Sequence, residues 1–331
     1  MAVNPKSLRI IYMGTPDFAV APLRALHESG HQIVAVVTVP DKPAGRGLKL
    51  KPSPVKEYAV KVGLPVLQPL SLKDSQFLLQ LQDLHPDLGI VVAFKMLPEC
   101  VFALPRYGTF NLHASLLPQY RGAAPINRAI MNGEHETGVT TFLLNKGMDE
   151  GAIIDRRRIE ITPSDDAGSL HDKLMTIGAG LVVSSVERVV SEGFKPVPQQ
   201  TDETQLIGAP KIFRETCRLN FDEDGVVLSN FIRGLAPFPG AWGELVERLA
   251  AGTEVSDNEI RRTTIKIFSV RFEECAVDDA PGTVFIDNSS MKVVCRNGLL
   301  NLLQLQPSGK PRMEIREFLN GLKLRGTIRF E

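Results

Sequence analysis

The sequence has only four cysteines, Cys100, Cys217, Cys275 and Cys295, and no two of them stand in a Cys-x-x-Cys spacing. That scatter excludes a disulfide framework and a zinc knuckle, and four buried thiols are the expectation. No cluster of His, Cys or carboxylate residues has metal-ligand spacing either, so no metal is expected. No apolar run approaches the roughly 20 residues needed to cross a bilayer. Residues 1–9 lack the basic flank and apolar core of a signal peptide, and a cytoplasmic protein without membrane contact is expected. Net charge is absent too: Lys plus Arg and Asp plus Glu number 38 each. With no global field to draw a polyanion, any nucleic-acid contact has to come from local patches. The first strand-to-helix turn, Gly14-Thr15-Pro16-Asp17-Phe18, lacks the Gly-x-Gly-x-x-Gly pattern that brings backbone against a pyrophosphate, which disfavours a nicotinamide oxidoreductase.

What is present is a chain of 331 residues with 43% hydrophobic content, enough to bury a large core and to form two domains. Apolar runs predict strands over 8–13 and 33–39, with a helix between them capped by Thr15, opened by Pro16 and stopped at Gly30. This is the right-handed crossover of a parallel sheet. Residues 40–54 interrupt the alternation with a long loop rich in Pro, Gly and basic side chains. Further helices are expected over 55–62 and 74–84, and strands near Val66 and over 88–94, 138–144 and 152–161. A long amphipathic helix follows over 165–192. The polar, proline-bearing stretch 194–210 reads as a linker. After a helix near 225–235, short strands recur between Gly, Asp and Asn turns. The expected fold is α/β: a Rossmann-like parallel-sheet domain over 1–193, the linker, and a small OB-like β-barrel over 211–331.

The densest chemistry lies in residues 109–127. Phe110, Leu112 and Ala114 alternate with Asn111, His113 and Ser115, a period of two that suits a strand with one apolar face and one carrying an amide, an imidazole and a hydroxyl. Pro118 ends the strand, a turn-rich loop follows, and Pro125 opens a helix. Open α/β sheets place their sites at such strand ends. From spacing alone Asn111 and His113 also read as hydrogen-bonded core groups. His27, His31, His85, His135 and His171 read as surface or structural. Basic residues concentrate at Lys42, Arg46, Lys49 and Lys51 and again from Lys310 onward; each patch also reads as a solvated surface run.

The run Asn111-Leu112-His113-Ala114-Ser115-Leu116-Leu117-Pro118 and the later Met148-Asp149-Glu150-Gly151 resemble the signature of the folate-dependent formyltransferases, in particular those acting on methionyl-tRNA. The resemblance covers nearly the whole chain. Gly-Thr-Pro-Asp-Phe at 14–18, Pro-Asp-Lys-Pro-Ala-Gly-Arg-Gly at 40–47, Ala-Pro-Lys-Ile at 209–212 and Leu-Gln-Pro-Ser-Gly-Lys at 305–310 fall in the same order. It implies formyl transfer from 10-formyltetrahydrofolate to the α-amino group of methionine on initiator tRNA. Asn111, His113 and Asp149 would be catalytic, and Ser115, Leu116, Leu117 and Pro118 would lie along the folate. Lys42, Arg46 and Lys49 would contact the tRNA, and the protein would act as a monomer. The chain departs from the resemblance at Phe94-Lys95, where an aromatic-glycine pair is usual, and in its terminal stretch.

These residue types suit that chemistry. A free α-amino group has a pKa of about 7.7–8.0, so part of it is already nucleophilic at neutral pH. The demanding species is the tetrahedral intermediate, whose oxyanion needs fixed donors of the kind Asn111 and His113 supply. An imidazole can also take the proton the amine loses, and a carboxylate such as Asp149 can orient it. Two other readings stay open: a formyltransferase for a small amine, which would need neither the basic loop nor the barrel, and a noncatalytic RNA-binding protein, which would have no use for the trio.

Overall fold

The computed structural model describes residues 4–44, 49–199, 203–249, 260–322 and 326–331. Two compact units divide the chain: one comprises residues 1–125, 136–160 and 171–210, the other 126–135, 161–170 and 211–331.

In the first unit β1 (Arg9–Gly14), α1 (Val20–Glu28) and β2 (Gln32–Val37) form the expected crossover. Thr15 does not cap the helix, contrary to expectation. Pro16 is extended, a 3-10 turn over Asp17–Ala19 tucks Phe18 and Ala19 into the core, and α1 begins only at Val20. Gly30 does take the left-handed conformation at the far end. The basic loop contains a hairpin, β3 (Lys42–Ala44) with β4 (Lys49–Lys51), that periodicity did not reveal. Its base is fixed where Asp41 accepts from Lys56 Nζ at 2.7 Å and from Gln68 Nε2 at 2.8 Å. These bonds hold the Asp41 carboxyl below its usual range.

Next come α2 (Pro54–Lys61), β5 (Val66–Leu67), α3 (Ser75–Asp83), β6 (Leu88–Val92), the short α4 (Glu99–Phe102) and β7 (Thr109–His113). Ser53 and Asp74 cap α2 and α3 by accepting from Lys56 N and Phe77 N, which satisfies donors that a helix start leaves free. The two-residue β8 (Arg121–Gly122), α5 (Pro125–Met131), β9 (Glu136–Leu143), β10 (Ile153–Glu160) and the long α6 (Ala167–Val189) follow. The sheet order is β10-β9-β7-β6-β1-β2-β5. Pairs among β5, β2, β1, β6 and β7 are parallel, and β9 and β10 add an antiparallel edge. The chain builds outward from β1 through β2 to β5, then returns to β6 on the other side of β1. That reversal opens a crevice at the carboxyl ends of β1 and β6, the preferred ligand position in such sheets. The stretch expected as a linker contributes β11 (Gly208–Ala209), which pairs in parallel with β8.

In the second unit α7 (Gly225–Leu235) buries Leu228, Ile232 and Leu235 at helical spacing. The barrel comprises β12 (Ala241–Leu249), β13 (Ile260–Glu274), β14 (Val284–Ile286), β15 (Met291–Cys295), β16 (Gly298–Pro307), β17 (Met313–Glu314) and, beyond α8 (Ile315–Gly321), β18 (Gly326–Phe330). The order is β14-β15-β16-β13-β12-β18, all antiparallel, and a bridge from Thr283 to Arg329 joins the two ends into a nearly closed barrel. Closure removes the open edges that invite aggregation. Phe330 is the inward anchor of the last strand, buried against Phe221 with ring centroids 5.3 Å apart. Of the cysteines, Cys217 and Cys295 are buried as expected, whereas Cys100 and Cys275 are exposed. Among the described residues no helix is long and apolar enough to cross a membrane.

Candidate active site

Strand β7 is the scaffold. It lies between β6 and β9, with Asn111 beside Val91 and Phe142 and His113 beside Thr140. The expected division into one apolar and one polar face is only partly visible in its burial. His113 and Ser115 are buried as deeply as Phe110 and Leu112, because a central strand in an open α/β sheet is covered on both faces. Asn111 is half-buried, and its Oδ1 is shielded from solvent without a hydrogen-bond partner. Asn111 and His113 share one face of the strand, about 7 Å apart along it.

His113 is fixed at one ring nitrogen. Its Nε2 lies 2.9 Å from the Tyr120 carbonyl oxygen. A carbonyl can only accept, so Nε2 carries the hydrogen and the neutral ring has its lone pair on Nδ1. Nδ1 faces Asp149 Oδ2 at 3.7 Å, beyond a hydrogen bond but close enough for ionic attraction once a proton arrives. The Asp149 carboxylate accepts from Gly122 N at 3.0 Å. Gly122 is at φ 125°, and a Cβ there would stand 2.6 Å from the Ala209 carbonyl oxygen, so this approach requires glycine.

Backbone strain surrounds the site. Ala93, Tyr120 and Asp149 are non-glycine residues at φ 47°, 61° and 56°, conformations that cost roughly 1–3 kcal/mol each and persist where surroundings enforce them. Ala93 follows the end of β6 at the crevice, Tyr120 supplies the carbonyl to His113, and Asp149 faces its Nδ1.

The loop after β7 is tied internally. Ser115 Oγ donates to Gln119 O at 2.6 Å, and Thr140 Oγ1 donates to Ser115 O at 2.7 Å while accepting from Leu117 N at 3.2 Å. Leu117 is buried with Phe142 and Ile153; Leu116 and Pro118 are half-buried. At the departure from the resemblance, Phe94 packs against the core that contains Val91 and Leu97, and Lys95 Nζ sits 5.9 Å from its ring centroid.

Sequence reasoning missed Tyr120, Arg121, Thr140 and Gln199 as parts of the site. Tyr120-Arg121 adjoined the motif and was the available signal. Gln199 had none, because it lies in a polar stretch and arrives through tertiary pairing. Lys42 is exposed and stands in register with Lys51 across the hairpin, and Lys49 lies in β4. Arg46 lies outside the described residues. Among the described residues no group of three or more His, Cys, Asp or Glu side chains could hold a metal ion.

The model of the formyl transferase family matches residues 8–186, and that of the formyl transferase C-terminal domain matches 211–323. The chain is 48% identical to a methionyl-tRNA formyltransferase of Parabacteroides distasonis, with 97% of this chain and 98% of the relative covered. It is 49% identical to one of Phocaeicola vulgatus at the same coverage. Among solved structures, a sugar 3N-formyl transferase determined with dTDP and 5-N-formyl-THF superposes with a TM-score of 0.59 at 18% identity. That match covers 92% of this chain and 99% of the other, and at this identity it speaks for the fold.

Proposed function

The chain belongs to the formyl transferase family, among its methionyl-tRNA members, and from that premise we propose that it moves the formyl group of 10-formyltetrahydrofolate onto the α-amino group of methionyl-initiator tRNA. The mechanism rests on one observation above all: His113 is tied at Nε2 to a backbone carbonyl and turns Nδ1 toward Asp149, on the strand face that carries Asn111.

The neutral amine attacks the formyl carbon and forms the C–N bond, giving a tetrahedral intermediate with an oxyanion and an ammonium. The Asn111 amide group donates to the oxyanion. A preorganised donor of this kind is worth about 2.7–4 kcal/mol of transition-state stabilisation. Donation falls to Nδ2; the Asn111 atom without a partner is Oδ1, which only accepts and takes no part in that contact. The ammonium proton passes to Nδ1 of His113, where the Asp149 carboxylate faces the new charge. Collapse of the intermediate breaks the bond to N10, which takes that proton from His113 and leaves as tetrahydrofolate, returning the ring to its neutral form. Of the segment expected along the folate, the half-buried Leu116 and Pro118 form the wall, while Ser115 and Leu117 are buried behind them, and the crevice between β1 and β6 takes the pterin.

On the tRNA side, Lys42, Arg46 and Lys49 contact the acceptor end. Lys42 stands opposite Lys51 across the hairpin, so the basic loop gathers two positive charges side by side, a local patch suited to phosphate. The test offers the formyl donor with charged initiator tRNA, charged elongator tRNA and small primary amines. Initiator methionyl-tRNA is the expected acceptor; preferential formylation of a small amine would refute the assignment. In the same assay across a salt series, Arg46→Ala should weaken use of the tRNA and flatten the salt dependence by about one phosphate contact, with folate affinity unchanged. Equal rates and slopes would remove Arg46 from the interface.

A further inference from the structure

We propose that Gln199 is a positioning residue for Asp149, an inference that rests on reading Asp149 as the partner of His113. The Gln199 carboxamide spans the turn that carries Asp149. Its Nε2 donates to the Asp149 and Gly151 carbonyl oxygens, each at 2.8 Å. Its Oε1 accepts from Arg121 Nη2 at 2.7 Å and Nε at 3.3 Å. Both donors and the acceptor of the amide are engaged, which fixes the orientation of the whole group.

These contacts fall on the two supports of Asp149. One is its own main chain, held at φ 56°, a left-handed conformation that is costly for a residue with a Cβ, though less so for aspartate than for most. The other is Arg121, the neighbour of Gly122, whose N–H holds the Asp149 carboxylate at 3.0 Å. Arg121 also reaches Glu150 at 3.7 Å, so the turn is gripped from both sides. Gln199 is itself delivered by fixed backbone. Val197 pairs with Ile153, with Ile153 N donating to Val197 O at 2.7 Å and Val197 N to Ile153 O at 2.9 Å. Gly208 and Ala209 pair with Arg121 and Gly122. The segment between the long helix and the second unit thus carries a part of the active site.

Side-chain chemistry singles out glutamine here. Glutamate would set a carboxylate against two carbonyl oxygens, asparagine is one methylene short, and alanine leaves both carbonyls and the guanidinium without their common partner. Because His113 Nδ1 stands 3.7 Å from Asp149 Oδ2, a small displacement of the turn weakens the contact that receives the proton.

A double-mutant cycle on the full-length enzyme, read by single-turnover formyl transfer with thermal melts alongside, tests this. Gln199→Ala should lower the rate about 10-fold with KM for both substrates little changed, the signature of an interaction expressed in the transition state. In an Asp149→Ala background the same change should have no further effect, because the contact it protects is already gone. Gln199→Glu keeps the volume and the Arg121 contact; it should be as slow as Gln199→Ala and serves if that variant fails to fold. Normal rates for the Gln199 variants, or a loss that multiplies undiminished with Asp149→Ala, would overturn the proposal. A normal rate for Asp149→Ala alone would overturn the reading of Asp149 instead, so the two failures are separable.

Discussion

His113→Ala is expected to lower kcat for formyl transfer by about 100-fold or more, within the 10²–10⁴ range typical of a positioned general acid–base group. KM for the folate should change little, because the ring lies on the proton path and is expressed in the transition state. The ring's fixation is the reason for expecting so large an effect. Nε2 is held at 2.9 Å by the Tyr120 carbonyl, so Nδ1 is always turned toward Asp149 and no reorientation precedes proton transfer. The substitution also removes the donor to Tyr120 O, so a thermal melt belongs beside the kinetics. A folded variant with near-parental kcat would take His113 out of the proton path.

Asn111→Ala carries a two-sided expectation. Loss of an oxyanion donor should lower kcat by about 10²–10³. Stability, however, should hold or rise, because Asn111 Oδ1 is buried without a partner and truncation removes an unsatisfied polar group. Activity kept at the expense of stability is the ordinary bargain at a catalytic position. Steady-state kinetics and urea unfolding on the same preparation check both halves. A variant that is destabilised yet catalytically normal would make Asn111 a core group, the alternative that the strand's spacing left open.

The fold was legible wherever a local rule decided it. The apolar runs of β1, β2 and β6, the glycine stop at Gly30 and the period-two run of β7 each have a cause within a few residues, although β7 stops at His113 rather than continuing through Ser115 to Pro118. Expectation failed where tertiary packing overrode a local rule. Thr15 has the chemistry of a cap, but burial of Phe18 and Ala19 draws the chain into a 3-10 turn first. The β3–β4 hairpin sits in sequence dominated by Pro, Gly and Lys, where no alternation signals a strand. At the candidate site the resemblance pointed to Asn111, His113 and Asp149, of which the fold sets His113 and Asp149 3.7 Å apart, while the residues that orient them carried no such signal. Tyr120 acts through its backbone and Gly122 through its N–H, functions that side-chain identity does not advertise. Gln199 lies 50 residues from the carbonyl it holds, a separation no periodicity spans.

At the centre is the claim that neutral His113 carries its hydrogen on Nε2 and keeps Nδ1 free for the proton of the attacking amine. Nitrogen NMR of protein labelled with ¹⁵N-histidine reads this directly, with His113 assigned by the signals lost in His113→Gln. At a pH where the ring is neutral, Nε2 should resonate as a protonated nitrogen and Nδ1 as an unprotonated one. The reverse pattern, with the hydrogen on Nδ1 and the lone pair toward Tyr120, would contradict it.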